Sequence, residues 1–168
     1  MTQIVAKRSA RVSRPAPPAQ TPAPITEEAA TAVSYIESSA LVAALLERDA
    51  AALKSVRTKG RLVTSALTIA EAARAILRAR AAARLTADEE RAVVRALRRF
   101  ERRSYLVAVT DAVLARVRRP FPVEPIRTLD AVHLATAELL GEPPQLVTVV
   151  TRDDRVRNNA RALGYAVE

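Results

Sequence analysis

Five short apolar runs recur along the chain between longer segments of helical periodicity: VSYI at 33–36, RLVT at 61–64, SYLVAV at 104–109, LVTVV at 146–150 and YAV at 165–167. They are rich in β-branched residues and mostly lack the alternation of a strand with one wet face. Strands apolar on both sides are buried on both sides, which places helices above and below the sheet and makes the connections parallel crossovers. The pattern predicts an α/β fold with a mainly parallel central sheet flanked by helices.

Helix starts are legible between the runs. Thr68-Ile-Ala-Glu71 and Thr86-Ala-Asp-Glu89 both have capping-box spacing, in which the hydroxyl takes one backbone N–H and the glutamate reaches back to another. Ser38 is placed to cap a helix through ALVAALLER, and Asp153 or Asp154 one through RVRNNARALG. Gly141 and Gly164 stand where helices stop in a left-handed residue. In DEERAVVRALRRFERR, Val93, Leu97 and Phe100 form an apolar stripe, and Arg91, Arg95, Arg98 and Arg102 form the opposite one.

Residues 1–24 break the pattern. They hold Pro15, Pro17, Pro18, Pro22 and Pro24, scattered basic residues and few large apolar side chains, the composition of an extended or disordered tail. The folded domain is expected over 25–168. The basic start runs into PAPPAQTPAP instead of the apolar stretch of an export signal, and runs such as ALVAALL are far shorter than the roughly 20 residues that cross a bilayer. Cysteine is absent, which excludes disulfides and thiol catalysis and suits a reducing compartment. A cytoplasmic protein with no membrane contact is expected.

A formal net charge of +9 points to a polyanionic partner, and most of the excess lies outside the N-terminal segment. With 3% aromatic residues and no tryptophan, base stacking is not the main mode of contact. Backbone charge and shape are.

Four acidic residues stand at the ends of apolar segments: Glu37 after VSYI, Glu71 in SALTIAEAARAIL, Asp130 in RTLDAVHLATA, and Asp153 shortly after LVTVV. Ligands of an open parallel sheet collect at the carboxyl ends of its strands, where Glu37 and Asp153 emerge and where Glu71 and Asp130 start helices. Carboxylates beside a core call for a cation, and hard divalent ions prefer oxygen ligands. Taken singly, Glu71 also reads as the capping partner of Thr68, Asp130 as a charge at a helix N-terminus, and Asp153 as an N-cap. Glu37 has no such local role. His133, on the same helical face as Asp130, lacks a second nitrogen or sulfur ligand for zinc and reads as a packing or hydrogen-bonding residue. No nucleophile elbow or Ser/His/Asp set supports covalent catalysis.

In that order the motifs resemble the PIN-domain family, and within it the VapC-type toxins of bacterial type II toxin–antitoxin pairs. YIESSALVAALLE resembles the opening strand and helix, SALTIAEAARAILR the second acidic motif, RTLDAVHLATAELLG the third, and VTVVTRDDRVRNNARALGYAV the closing Thr-x-Asp segment. The likeness runs from about Ala32 to the C-terminus. It implies a PIN-like fold and an endoribonuclease acting on structured RNA such as tRNA or rRNA. Mg²⁺ or Mn²⁺ would be held by Glu37, Glu71, Asp130 and Asp153, with Ser39 and Thr151 beside them. It also implies a homodimer neutralised by a VapB-like antitoxin, whose C-terminal segment would cover the active-site groove; ALVAALLE and AARAILRA read equally as walls of such a groove or as core-packing helices. The family more often has Asp at the place of Glu37. The extra methylene moves the oxygen, so a catalytically weak RNA- or protein-binding module is the alternative. Arg127 and Arg152, beside the motifs, join the stripe of Arg91, Arg95, Arg98 and Arg102 as candidate phosphate contacts.

Overall fold

The computed structural model of the protein describes residues 33–58 and 60–168. The basic tail expected at 1–24, and the domain start expected at 25, lie outside the described residues.

Every apolar run contains a strand: β1 (Val33–Ile36), β2 (Arg61–Ser65), β3 (Tyr105–Val107), β4 (Val147–Val150) and β5 (Ala166–Val167). Among the described residues they form one sheet in the order β3-β2-β1-β4-β5, with every neighbouring pair parallel. β3 stops short of the run that predicts it, because its only partner, β2, ends at Ser65 opposite Val107.

Alternate side chains of the strands enter two cores. Val33, Tyr35, Val147 and Val149 pack with Val132, Leu134 and Val156 on one face; Ile36 and Val150 pack with Leu41, Ile76, Leu97 and Phe100 on the other. Both faces are therefore dry, as the continuous runs require, and each buried Leu or Ile contributes about 1.5–3 kcal/mol. The helices are α1 (Ser38–Val42), α2 (Ala50–Val56), α3 (Ala66–Ala81), α4 (Ala87–Arg103), α5 (Asp111–Val117), α6 (Thr128–Glu138) and α7 (Asp154–Ala162). None of the described helices is long and apolar enough to cross a membrane.

Two local expectations change. ALVAALLER is not one α-helix: α1 passes into a π-helical turn, Ala43–Glu47, which ends at left-handed Arg48 (φ 56). Asp49 then caps α2 by accepting from the Ala52 N–H at 2.8 Å. The Thr86–Glu89 capping box forms, but the Thr68–Glu71 box does not. The last residue of β2, Ser65, caps α3 instead, accepting from the Leu67 N–H at 3.1 Å and leaving the Thr68 hydroxyl buried without a partner. Gly164 follows α7 at φ 91, the left-handed residue expected of a helix stop.

β1 and β4 are neighbours, yet the chain leaves β1 towards β2 and leaves β4 towards β5. This reversal opens a crevice at the carboxyl ends of β1 and β4, the usual ligand position in such sheets.

Candidate active site

Glu37 leaves β1 at that crevice, its backbone N–H donating to the Val150 carbonyl at 3.0 Å. Its side chain is 3% exposed and fully engaged. Oε1 accepts from the Ser38 hydroxyl at 2.6 Å and the Ser39 N–H at 3.0 Å. Oε2 accepts from the hydroxyls of Thr151, at 2.8 Å, and Ser39. Glu37, not Ser38, is thus the N-cap of α1, so the acid that seemed to lack a local role has one. Its carboxylate spans the two halves of the sheet.

The β4 side of the crevice is held by the same hydroxyls. Ser39 Oγ accepts from the Arg152 N–H at 2.7 Å, and Thr151 Oγ1 from the Asp153 N–H at 3.1 Å. Asp153 caps α7 through Oδ1, which takes the Arg155 N–H at 2.7 Å and the Val156 N–H at 3.4 Å. Its other oxygen is not needed for the cap.

Glu71 sits on the second turn of α3, where its Oε2 meets His133 Nε2 at 2.7 Å. Burial opposes ionisation of Glu71, but its hydrogen bond with His133 and the polarity of that ring outweigh it and hold the carboxyl below its ordinary range. The other ring nitrogen of His133, Nδ1, lies 3.3 Å from the Tyr35 hydroxyl. Burial, reinforced by Glu37, pushes that hydroxyl far up, so it stays protonated. Of the two partners of His133, Tyr35 does not stand out in the sequence. The one signal was an aromatic residue carrying a hydroxyl inside a short buried strand.

Asp130 lies in the first turn of α6, whose N-cap Arg127 makes no side-chain capping bond. Burial raises its pKa first, and the charges of Asp153 and Glu37 raise it further. Its Oδ2 is buried and has no hydrogen-bond partner. Asp130 therefore feels two other carboxylates at the crevice while one of its own oxygens is unsatisfied.

Among the described residues, no three His, Asp or Glu side chains already stand in an arrangement that could hold a metal ion. The donor chemistry nevertheless fits one. A buried orphan oxygen in a field of like charge is what a cation relieves, and Mg²⁺ commonly takes one or two carboxylates and keeps its waters.

The arginines separate. Arg152 is committed, its guanidinium pairing with Asp49 at 2.8 and 3.2 Å and donating to the Thr151 carbonyl at 3.3 Å. Arg127 is exposed beside Asp130. Arg91, Arg95, Arg98 and Arg102 all lie on the exposed side of α4, opposite buried Leu97 and Phe100, with Arg91 paired to Asp88.

The PIN-domain family model matches residues 34–162, and the chain belongs to that family. Among curated relatives, Ribonuclease VapC35 of Mycobacterium tuberculosis is 39% identical over 137 residues, 79% of this chain and 93% of the relative. Ribonuclease VapC46 of the same organism is 41% identical over 138 residues, 81% of this chain and 96% of the relative. Two solved structures share the fold. The crystal structure of VapBC2 from Rickettsia felis, bound to a DNA fragment from their promoter, has a TM-score of 0.56 at 11% identity and covers 81% of this chain and 97% of that one. PAE2754 from Pyrobaculum aerophilum has a TM-score of 0.55 at 23% identity, covering 83% of this chain and 91% of its own.

Proposed function

We propose that this chain is a VapC-type toxin, an endoribonuclease that cuts structured RNA such as tRNA or rRNA in the cytoplasm at the crevice between β1 and β4, with Mg²⁺ or Mn²⁺. The ribonuclease relatives support the reaction class. The observation that carries the site is the buried, unpartnered Oδ2 of Asp130, on a carboxyl that feels the charge of Asp153 and Glu37.

Asp130 and the uncapped oxygen of Asp153 are the freest donors for the ion. Glu37 must give up one of its present hydrogen bonds to join them, and Glu71 completes the acidic wall. When bound, the cation supplies the positive charge that polarises a scissile phosphate and makes a nearby water a better nucleophile. The protein's own part is to fix the carboxylates. Ser39 and Thr151 lock Glu37 across the two halves of the sheet, and Asp153 is pinned by the helix it caps.

The test is cleavage of total cellular RNA by purified protein with Mg²⁺ or Mn²⁺, beside Asp130→Asn and a chelator control. Wild type is expected to produce fragments that the variant and the chelated enzyme do not. In a thermal melt Mn²⁺ should stabilise wild type and leave Asp130→Asn unmoved, since binding to the native state raises apparent stability. Identical RNA fragments from both proteins would remove the proposal.

One observation favours a second reading, a catalytically weak RNA- or protein-binding module: Glu37 is already saturated by Ser38, Ser39 and Thr151. Glu37→Asp separates the two. If the site is built around glutamate, the shorter side chain loses the Thr151 bond and cleavage falls about tenfold or more, the scale of one lost charge-assisted hydrogen bond. Faster cleavage would favour the weak module.

The partners are a VapB-like antitoxin and a second copy of the chain. A cavity of about 350 Å³ lies between the π turn and α3, lined in part by Val42, Leu46, Ala75, Ala79, Arg78 and Arg84. It joins the two segments read as candidate walls of the antitoxin groove. Its apolar floor, edged by Arg78 and Arg84 on one hand and Glu47 on the other, suits an amphipathic segment.

A further inference from the structure

We propose that His133 is a positioning residue of the nuclease site: through Nε2–H it holds the Glu71 carboxylate in one orientation, and the Tyr35 hydroxyl fixes the ring that does so. The proposal rests on the reading of this crevice as a ribonuclease site.

Three elements meet at the ring. Tyr35 belongs to β1, two residues before Glu37; His133 lies on α6, one turn after Asp130; Glu71 is on α3. The relay is thus tied to the acidic set at each element: Tyr35 is followed closely by Glu37, His133 shares α6 with Asp130, and Glu71 belongs to both. His133 is 1% exposed, so water does not satisfy its ring. The partners assign its protons. An ionised Glu71 can only accept, so the nitrogen 2.7 Å away, Nε2, carries the hydrogen. In the neutral ring Nδ1 then accepts, and the Tyr35 hydroxyl at 3.3 Å is the donor that matches it. A donor fixed in this way orients a neighbouring carboxylate as the outer partners of metal-binding groups do.

The same nitrogen stands 3.8 Å from Glu37 Oε1, beyond hydrogen-bond length but close enough for its polarity to moderate two carboxylates at once. Glu71 is consequently aimed before any ligand arrives. Without the ring Glu71 would lose its closest hydrogen-bond partner, and a cation or substrate would have to complete its ordering.

Two amides divide the ring's functions. The Gln of His133→Gln places an N–H near the position of Nε2 and can reach Glu71; the Asn of His133→Asn reaches only as far as Nδ1, towards Tyr35. Cleavage of RNA with Mn²⁺ is expected to stay within about threefold of wild type in His133→Gln and to fall about tenfold or more in His133→Asn, mostly in kcat, the scale of one misplaced hydrogen bond. A role in packing or in satisfying Tyr35 predicts no such order. Equal rates, or a faster His133→Asn, would overturn the proposal.

A second measurement needs neither activity nor a variant. His133 is the only histidine, so ring ¹⁵N spectra of the full chain contain one imidazole. The expected result is a proton on Nε2; a bare Nε2, with the proton on Nδ1 alone, would overturn the proposal. Wild type that cuts no RNA would overturn the nuclease reading along with it, whereas wild type that cuts as well as both variants would overturn this proposal alone.

Discussion

Asp153 shows how a single side chain serves the fold and the site with different atoms. Oδ1 takes two N–H groups at the start of α7, and the charge of the whole carboxylate reaches Asp130 across the crevice. Asparagine caps a helix about as well as aspartate, whereas alanine loses the cap at a cost of about 1 kcal/mol. Asp153→Asn should therefore melt close to wild type yet cut RNA at least about tenfold more slowly, and Asp153→Ala should lose both activity and about that much stability. Thermal melts and cleavage rates on the two variants check this. Full activity in Asp153→Asn would make Asp153 a cap and nothing more. Asp130 differs because no cap holds it. Its raised pKa means that ionisation works against the folded state at neutral pH, and that penalty fades as pH falls through the folded value.

At the scale of elements, strands were easier to read than helix starts, for a physical reason. A strand dry on both faces has to be a continuous apolar run, and all five runs contain strands that pair in parallel. Helix starts depend on where the preceding strand releases the chain. Thr68-x-x-Glu71 has a capping-box pattern, but β2 ends at Ser65 and turns at once into α3, so Ser65 becomes the cap and Glu71 is left for His133. The π turn after α1 was equally hidden. ALVAALLER has ordinary helical periodicity, and nothing local distinguishes five residues of π winding from α. The acidic set was legible as a set because each member lies near a strand or helix end. Its wiring was not: Glu37 with Thr151 and Tyr35 with His133 are contacts between segments about a hundred positions apart, which no local pattern encodes.

Topology also decides which part of the basic stripe can serve the crevice. β3 starts at Tyr105, directly after α4 ends at Arg103, and a parallel strand starts at the edge of the sheet opposite the site. The C-terminal end of α4, with Arg102, is therefore at the far edge. A 17-residue helix is about 25 Å long, while the strands have two to five residues and span at most about 17 Å. Arg91 accordingly stands at or beyond the carboxyl edge where the carboxylates gather, with Arg95 one turn below it. If RNA lies across that edge, its phosphates meet Arg91 and Arg95 first. Arg91 is paired to Asp88, but an exposed pair of this kind is worth little and releases readily to a phosphate. The double variant Arg91→Ala/Arg95→Ala should weaken RNA binding by about tenfold at low salt, more than Arg98→Ala/Arg102→Ala does, and should flatten the dependence of binding on salt by roughly the one or two phosphate contacts removed. Titrating a fixed RNA at several salt concentrations measures both quantities. Equal losses in the two double variants would mean that the whole stripe tracks the backbone, with RNA running along α4 instead of across the edge.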